Sequence, residues 1–233
     1  METIAFICVI TLLLKGVVTD ESFDVSLMEG DSVTLHTDTE IQKDYLIDWM
    51  FGDQQNLIAR INSAANSHSI EDGVLDGRFR DRLKMNTDNG DLTITDITTQ
   101  HTGLYQLDIS SETETIKTFY VYVSGDTDKV KTVMMGDSVV MHNNVIKKPG
   151  DEKIVWRIQH NNSPVAEIIR NGKETDKVHD ERFRDRLQVD DQTGDLIITN
   201  IRSDDFGSYK VDITVGSHIY TIHRSFSVNV RGE

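Results

Sequence analysis

Arg78-Phe79-Arg80-Asp81-Arg82-Leu83 occurs twice in this chain, because the same six residue types return at 182–187, 104 residues later. Shorter motifs repeat behind each copy at the same distance: Gly-Asp-Leu (90–92 and 194–196) and Gly-x-Tyr (103–105 and 207–209). A period of about 100 residues is too long for a solenoid repeat and is the size of one small domain. The sequence therefore predicts that one domain is duplicated in tandem.

The composition excludes several classes of function. The chain has 233 residues, of which 37% are apolar and only two are proline, as in ordered globular domains. Its net charge of -15 repels phosphate backbones, so no nucleic-acid partner is expected. The eight histidines are scattered without the spacing of zinc ligands. We therefore expect no metal and no cofactor.

Residues 1–19 are predicted to be a signal peptide. Ile4 to Leu14 is almost wholly apolar and too short to span a bilayer, and small residues at 16–19 offer a cleavage zone. The alternative is a buried first strand or helix. The only cysteine, Cys8, lies in this leader, so the mature protein is expected to contain no disulfide. No apolar segment follows the second repeat, and we expect a secreted protein or one on the external side of the plasma membrane.

The rest of the sequence consists of short alternating strands separated by turn residues. Each repeat has its Trp in an early central strand, Trp49 and Trp156, and a Tyr near the start of a late strand. This pattern describes an immunoglobulin-type sandwich. The sequence therefore predicts an all-β fold with a first domain at 20–124, a linker at 125–129 and a second domain at 130–231.

Both predicted domains lack the disulfide that usually joins the two sheets of this fold. The corner residues Tyr105 and Tyr209 lie two positions before the second cysteine of the usual bridge. Counting from them and from the Gly-Asp-Ser turns, the missing cysteines are replaced by Thr37 and Leu107 in the first repeat, and by Asn143 and Val211 in the second. A bridge across roughly 70 residues would contribute about 4 kcal/mol. Packing around the tryptophans must replace it, and a buried Asn143 needs hydrogen-bond partners.

The position four residues before the corner Tyr differs between the repeats. In the second repeat it is Asp205, which is expected to pair with Arg186, or less well with Arg182 or Arg184. In the first repeat it is His101. An ionic clasp is therefore expected only in the second repeat, and the first is expected to close more loosely.

Taken together, these residues resemble a known family. V-type domains without a disulfide that read Trp-x-Phe, Phe-x-x-Arg-Leu, Gly-x-Leu-x-Ile and x-Tyr are similar to those of the signalling lymphocytic activation molecule (SLAM) family, which are leukocyte surface receptors and ligands. The resemblance covers residues 22–230, and the stretch 46–55 strengthens it. That family pairs one V domain with a bridged C2-type domain, whereas here both domains look V-like and unbridged. Such a tandem arrangement resembles fish immune-type genes.

The resemblance implies that ligands bind the sheet that holds the Trp strand and the last two strands. Strand alternation places Trp49 and Phe119 inward and their sequence neighbours outward. The predicted partner-binding residues are Asp48, Met50, Arg60, Gln106, Asp108, Tyr120 and Tyr122. The corresponding patch of the second repeat (Arg157, Lys210 and Asp212) lacks exposed aromatic residues, so the first repeat is the expected binding site.

The resulting prediction is a cell-surface recognition or adhesion protein that binds another immunoglobulin-type receptor, or a second copy of itself, in immune-cell contacts. Asn161 begins the only N-glycosylation signal and is predicted to carry a glycan. One alternative is a secreted decoy for such a receptor. Another is a calcium-dependent adhesive module, because residues 86–91 space oxygen ligands roughly as a calcium loop does.

Catalysis is not expected. Ser32 and Ser138 lie in Gly-Asp-Ser motifs that resemble the nucleophile motif of one esterase class. A nucleophilic serine needs a base and an oxyanion hole, usually at a strand-to-helix turn. Both serines instead precede predicted strands.

Overall fold

The computed structural model describes residues 19–111, 113–125, 128–144, 152–158, 162–170, 177–178, 180–183 and 185–232. The predicted leader, apart from Thr19, and the predicted glycosylation site Asn161 lie outside these ranges. Within them the chain is built from strands, with only single helical turns between them. The all-β prediction is confirmed.

In the first repeat, nine strands form the two layers of a sandwich. They are β1 (Thr19–Met28), β2 (Ser32–Leu35), β3 (Leu46–Phe51), β4 (Asn56–Asn62), β5 (Ser67–Ile70), β6 (Leu83–Met85), β7 (Leu92–Ile94), β8 (Gly103–Ser110) and β9 (Glu114–Ser124). The front sheet has the order β1-β9-β8-β3-β4-β5, and β2, β7 and β6 form the back layer. Short helical turns lie at Val74–Gly77 and Thr99–His101. Strand β1 runs parallel to β9, and the other neighbours are antiparallel.

The second repeat has the same plan. Its strands are β10 (Val130–Met134), β11 (Val139–Met141), β12 (Glu152–Ile158), β13 (Ser163–Arg170), β14 (Lys177–Val178), β15 (Leu187–Val189), β16 (Leu196–Ile198), β17 (Gly207–Val215) and β18 (Tyr220–Arg231). Helical turns lie at Glu181–Phe183 and Ser203–Asp205. The front layer contains β14-β13-β12-β17-β18 with β10 alongside β18, and the back layer is β11-β16-β15.

The two repeats share one sheet, which the sequence did not predict. Strand β1 lies against β9 along its whole length, so it does not cover the outer edge of β2. The start of β18 pairs antiparallel with that edge, from Tyr220 opposite Leu35 to His223 opposite Ser32. The front layer of the second repeat therefore continues into the back layer of the first as a nine-stranded sheet. The division into two domains remains a prediction.

The core replaces the missing disulfides with the same polar contacts in both repeats. Trp49 and Trp156 are fully buried, and each indole N–H donates to a glycine carbonyl, that of Gly90 at 2.8 Å and that of Gly194 at 3.0 Å. The side chain in the first cysteine position donates to the carbonyl of the residue before that glycine. Thr37 Oγ1 donates to Asn89 O at 2.6 Å, and Asn143 Nδ2 donates to Thr193 O at 2.7 Å. In each repeat, two hydrogen bonds from two neighbouring segments thus reach the same turn, and the predicted partners of Asn143 are confirmed.

The repeated Arg-Phe motif closes the end of each sandwich. Phe79 and Phe183 are buried, and both corner tyrosines donate from their hydroxyls to a backbone carbonyl four residues earlier. In the second repeat Arg186 binds Asp205 through two hydrogen bonds of 2.6 and 3.1 Å, and both side chains are buried. The predicted ionic clasp is confirmed.

The looser closure expected around His101 is not what the structure shows. His101 is buried, its Nδ1 accepts from the Thr98 amide at 2.9 Å, and its Nε2 lies 3.0 Å from the Arg78 carbonyl. Because Nδ1 accepts a hydrogen bond from a backbone N–H, the proton resides on Nε2 and the ring is neutral. Burial lowers the pKa of His101, in agreement with the neutral ring. A neutral histidine therefore replaces the ion pair.

Candidate binding face

The seven residues predicted to bind a partner all lie on the outward side of the front sheet of the first repeat. Burial alternates along β3, β8 and the second half of β9, with Trp49, Leu107 and Phe119 buried beneath the sheet. We call the outward side of this sheet the front face; the predicted members on it are Asp48 and Met50 on β3, Arg60 on β4, Gln106 and Asp108 on β8, and Tyr120 and Tyr122 on β9. The geometric part of the prediction therefore holds, while the binding role remains a prediction.

Acidic groups occupy the middle of the front face. Asp48 and Asp108 lie directly opposite each other on neighbouring strands. Arg60 lies opposite Asp48 on the other side and donates to both of its carboxylate oxygens at 2.6 and 2.5 Å. Asp108 is different, since its Oδ1 is buried and has no hydrogen-bond partner among the described residues. One of the two carboxylates is therefore neutralised and the other is not.

The electrostatics of Asp108 follow from this arrangement. Burial, together with the nearby carboxylates of Glu114 and Asp48, raises the pKa of Asp108. A hydrogen bond from Ser110 favours the ionised form of Asp108 and offsets part of this effect, but a buried oxygen without a hydrogen bond still costs free energy, which a cation brought close to the carboxylate would recover. The front face therefore has a specific position that favours a lysine or arginine from outside the chain.

Apolar and aromatic groups share the front face with this acidic centre. Tyr120 and Tyr122 are 53% and 63% exposed. The structure adds Leu104, opposite Tyr120, and Ile116, opposite Asp108, to the same face. Ile116 was missed because the sequence suggested a last strand starting at Thr118, whereas β9 starts at Glu114. The alternation of β9 would have placed Ile116 outward had the strand been extended.

The corresponding face of the second repeat is satisfied internally. Asp212, which occupies the position of Asp108, accepts from Arg157 Nε at 3.3 Å and lies 2.8 Å from His223 Nδ1. Burial alone would raise the pKa of Asp212, but the hydrogen bonds from His223 and Arg157 and their charges outweigh it and lower the pKa. No large exposed aromatic residue lies on the described strands of this face. It thus lacks both features of the front face.

The two faces also point to opposite sides of the molecule. His223 and Thr221, on the outward side of β18, contact Thr34 and His36 on the outer side of the back layer of the first repeat. The front face is the outer side of the other layer of that sandwich. A partner bound to the front face would therefore not contact the corresponding sheet of the second repeat.

Two hydroxyl–imidazole–carboxylate chains lie where β18 meets β2. Thr34 Oγ1 lies 3.1 Å from His223 Nε2, whose Nδ1 contacts Asp212. The second chain joins Thr221 Oγ1 to His36 Nε2 at 2.9 Å and His36 Nδ1 to Asp91 at 2.7 Å. The order of groups is that of an acyl-transfer triad, but both hydroxyls lie on strands that are paired on both sides. Amides held in a ladder cannot form an oxyanion hole, so we interpret these chains as links between the repeats.

The other chemical motifs of the sequence are engaged in structural contacts. The carboxylate of Asp91, in the loop that resembles a calcium site, binds the Thr37 amide at 2.9 Å and His36 at 2.7 Å. Ser32 Oγ accepts from the Asp96 amide at 3.3 Å. Among the described residues, no group of three or more His, Cys, Asp or Glu could hold a metal ion. In that same part of the chain, no helix is long and apolar enough to cross a membrane.

A sandwich with a buried central Trp, a tyrosine corner and a first strand parallel to the last matches a known family. Residues 20–124 match the model of the immunoglobulin V-set domain. The first repeat is therefore similar to the immunoglobulin V-set domain. This V-set-like repeat carries the front face, and the parallel plan of the second repeat makes the whole described chain an all-β pair of sandwiches.

Several solved structures are similar to the chain. A crystal structure of CD84, a SLAM family protein, is 19% identical with a TM-score of 0.40 and covers 46% of this chain and 100% of that one. A crystal structure of murine CEACAM1b is 18% identical, has a TM-score of 0.36, and covers 88% of this chain and 96% of that one. A solution structure of the first Ig-like domain of human CD48 antigen is 16% identical, has a TM-score of 0.36, and covers 47% of this chain and 88% of that one. No curated protein sequence matches the chain.

Proposed function

We propose that the chain is an extracellular recognition or adhesion protein whose front face binds an immunoglobulin-type surface protein in immune-cell contacts. The observation that carries the proposal is the buried Oδ1 of Asp108, which lacks a hydrogen-bond partner among the described residues and lies on the same face as the exposed Tyr120 and Tyr122. Exposed tyrosines on one face with charged groups are typical of protein-binding surfaces. The SLAM-like motifs of the sequence support the choice of partner class.

The chemistry of the front face specifies what the partner must supply. It needs a lysine or arginine that reaches Asp108, and apolar surface to cover Tyr120 and Tyr122. The net charge of -15 also favours a basic partner surface during approach, because opposite charges speed association. We expect weak and fast binding that becomes strong when many copies are displayed together.

Multimers of the secreted chain should stain leukocytes of the source animal in a saturable way. Asp108→Lys and Tyr120→Ala should each abolish staining without lowering the melting temperature, because both changes lie on the outward side of the sheet. Lys210→Ala, at the position of the second repeat that corresponds to Gln106, is the matched control and should stain as wild type.

Beads coated with the chain itself test self-recognition in the same experiment. Wild-type staining by both front-face variants would contradict the proposed site. Absence of any staining by a folded wild-type chain would contradict the proposed function.

A further inference from the structure

The inter-repeat junction shows how this fold covers one of its own sheet edges. The hairpin of β17 and β18 adds its Tyr220–His223 segment to the outer edge of β2. Next to it Arg224 donates to both carboxylate oxygens of Asp31 at 2.6–3.1 Å, with both side chains buried, and Lys129 lies 2.8 Å from the same carboxylate. His36 completes the junction through Thr221. The contact therefore combines a strand ladder, a buried ion pair and a histidine link.

In the second repeat, no described strand covers the corresponding surface. Its strand β11 corresponds to β2, and no described strand pairs with its outer edge. The backbone N–H of His36 donates to Ile219 of the added hairpin, so the equivalent N–H of His142, and that of Val140 two residues before it, face the open edge. An open edge with unpaired backbone groups favours the addition of another strand.

The side chains around this edge repeat those of the junction. His142 is held by Asp195 at 2.7 Å as His36 is held by Asp91, but its side chain is 51% exposed against 18% for His36. Among the described residues its Nε2 has no partner, whereas that of His36 has Thr221. Asp137, the counterpart of Asp31, is exposed.

Two exposed methionines beside this edge also indicate a surface that is covered in an assembly. Met134 and Met135 are 44% and 48% exposed, whereas Met28, the counterpart of Met134 in the covered junction, is only 4% exposed. Exposed apolar side chains next to an open strand edge indicate a surface that is covered in an assembly.

The first repeat of a second copy carries the complementary groups. The residues of β9 that correspond to Tyr220–His223 are 113–116, since Phe119 and Phe226 lie opposite the two corner tyrosines. At the position of Arg224 it has Lys117, which donates to the Thr37 carbonyl of its own repeat at 2.9 Å and has to turn away from it to supply a cation for Asp137 of the next copy. At the position of Thr221 it has Glu114, whose carboxylate would face the His142 ring.

The end of β9 is accessible for this contact. Of residues 113–116, only Thr115 and Ile116 are paired on their outer side, with Thr19 and Asp20 at the start of β1. If the leader is cleaved after residue 19 as predicted, Asp20 alone remains there. Pairing at a chain terminus is weak and easily displaced.

We propose that copies of this chain associate head to tail, with the β8–β9 hairpin of one copy adding to the β11 edge of the next. The contact joins two different surfaces, so each copy keeps one unused hairpin and one unused edge. Such an interface extends into linear assemblies and does not stop at a symmetric dimer. The tyrosines of the front face lie outside this contact. Each assembly would therefore display them once per copy.

Sedimentation of the secreted chain at physiological ionic strength, up to about 1 mM, tests the proposal. Wild type should grow in mass beyond a dimer as its concentration rises. An edge variant, Val140→Pro, and a hairpin variant, Glu114→Lys with Lys117→Met, should each remain monomeric when alone. An equimolar mixture of the two should form dimers and stop there, because only one intact hairpin and one intact edge can meet.

Two controls distinguish a lost contact from a misfolded variant. Asp137→Lys changes only an exposed side chain, so it provides a second edge variant if the proline disturbs folding. Thermal unfolding confirms that each variant is folded. A wild type that stays monomeric, a wild type that stops at a dimer, or a mixture that fails to associate would each overturn the head-to-tail contact.

Discussion

At the scale of single residues, corresponding positions of the two repeats have opposite roles. Asp108 is unpaired on one carboxylate oxygen, whereas Asp212 has two basic partners. Asp108→Asn should therefore raise the melting temperature at pH 7 and weaken binding to the front-face partner. Asp212→Asn should lower the melting temperature. Thermal unfolding of both variants between pH 3 and 8 measures this contrast.

The pH dependence of the two effects follows from the direction of each pKa shift. The raised pKa of Asp108 means that the ionised group opposes folding at neutral pH. The gain from Asn should therefore vanish as the pH falls through that raised pKa. The lowered pKa of Asp212 means that its contribution is complete above its unfolded pKa, near 4, and is lost as the pH falls further. Equal and pH-independent effects of the two variants would contradict this assignment.

The last arginine of the repeated motif offers a second residue-scale test. Arg186 is buried with Asp205, and its counterpart Arg82 pairs with Asp96, whose side chain is 75% exposed. Arg186→Met leaves a buried carboxylate without its partner and should cost about 3–5 kcal/mol of unfolding free energy. Arg82→Met should cost about 1 kcal/mol or less. Urea denaturation distinguishes the two, and similar losses would show that the clasp is not the dominant contact.

At the scale of elements, the turn before β7 takes over part of the role of the disulfide. Gly90 has a φ of +79°, and a Cβ added there would lie 2.8 Å from Ile47 Cδ1. Its carbonyl accepts the Trp49 indole hydrogen bond. Gly90→Ala should thus combine backbone strain with a clash in the core, and cost about 2 kcal/mol more than strain alone.

Gly52→Ala is the matched control for that variant. Gly52 has a φ of +74°, and an added Cβ would meet nothing within 4 Å. It should show only the cost of the left-handed conformation, about 1–2 kcal/mol. Denaturation of both variants under the same conditions isolates the clash. Equal losses would mean that the turn can move away from the core.

Much of the element structure could be predicted from the sequence, because it depends on local alternation and turn residues. The burial of Trp49 and Phe119 and the outward placement of Tyr120 follow directly from the period of two. Asp108 was placed on the correct face, but its unpaired oxygen depends on which strands are neighbours. The pairing of β18 with β2 had no local signal, since Tyr220 and Leu35 are far apart in the sequence.

At the scale of the whole molecule, the shared sheet should make the two repeats unfold together. The Arg224–Asp31 pair is buried at their junction. Arg224→Met should separate a single calorimetric transition into two, because the hairpin then loses its charged anchor to the first repeat. Arg157→Met removes an ion pair within the second repeat and should shift the transition without splitting it. Two transitions in wild type would show that the junction does not couple the repeats.

The ladder between the repeats also has a mechanical consequence. The hairpin of the second repeat overlaps the first along the strand direction, over the four pairs from Tyr220–Leu35 to His223–Ser32. Tension that pulls the repeats apart along the strands would load these hydrogen bonds in shear, all at once, rather than peel them one by one. In the adhesion role proposed above, a pulling force applied at the front face would therefore pass between the repeats through the backbone of a continuous sheet.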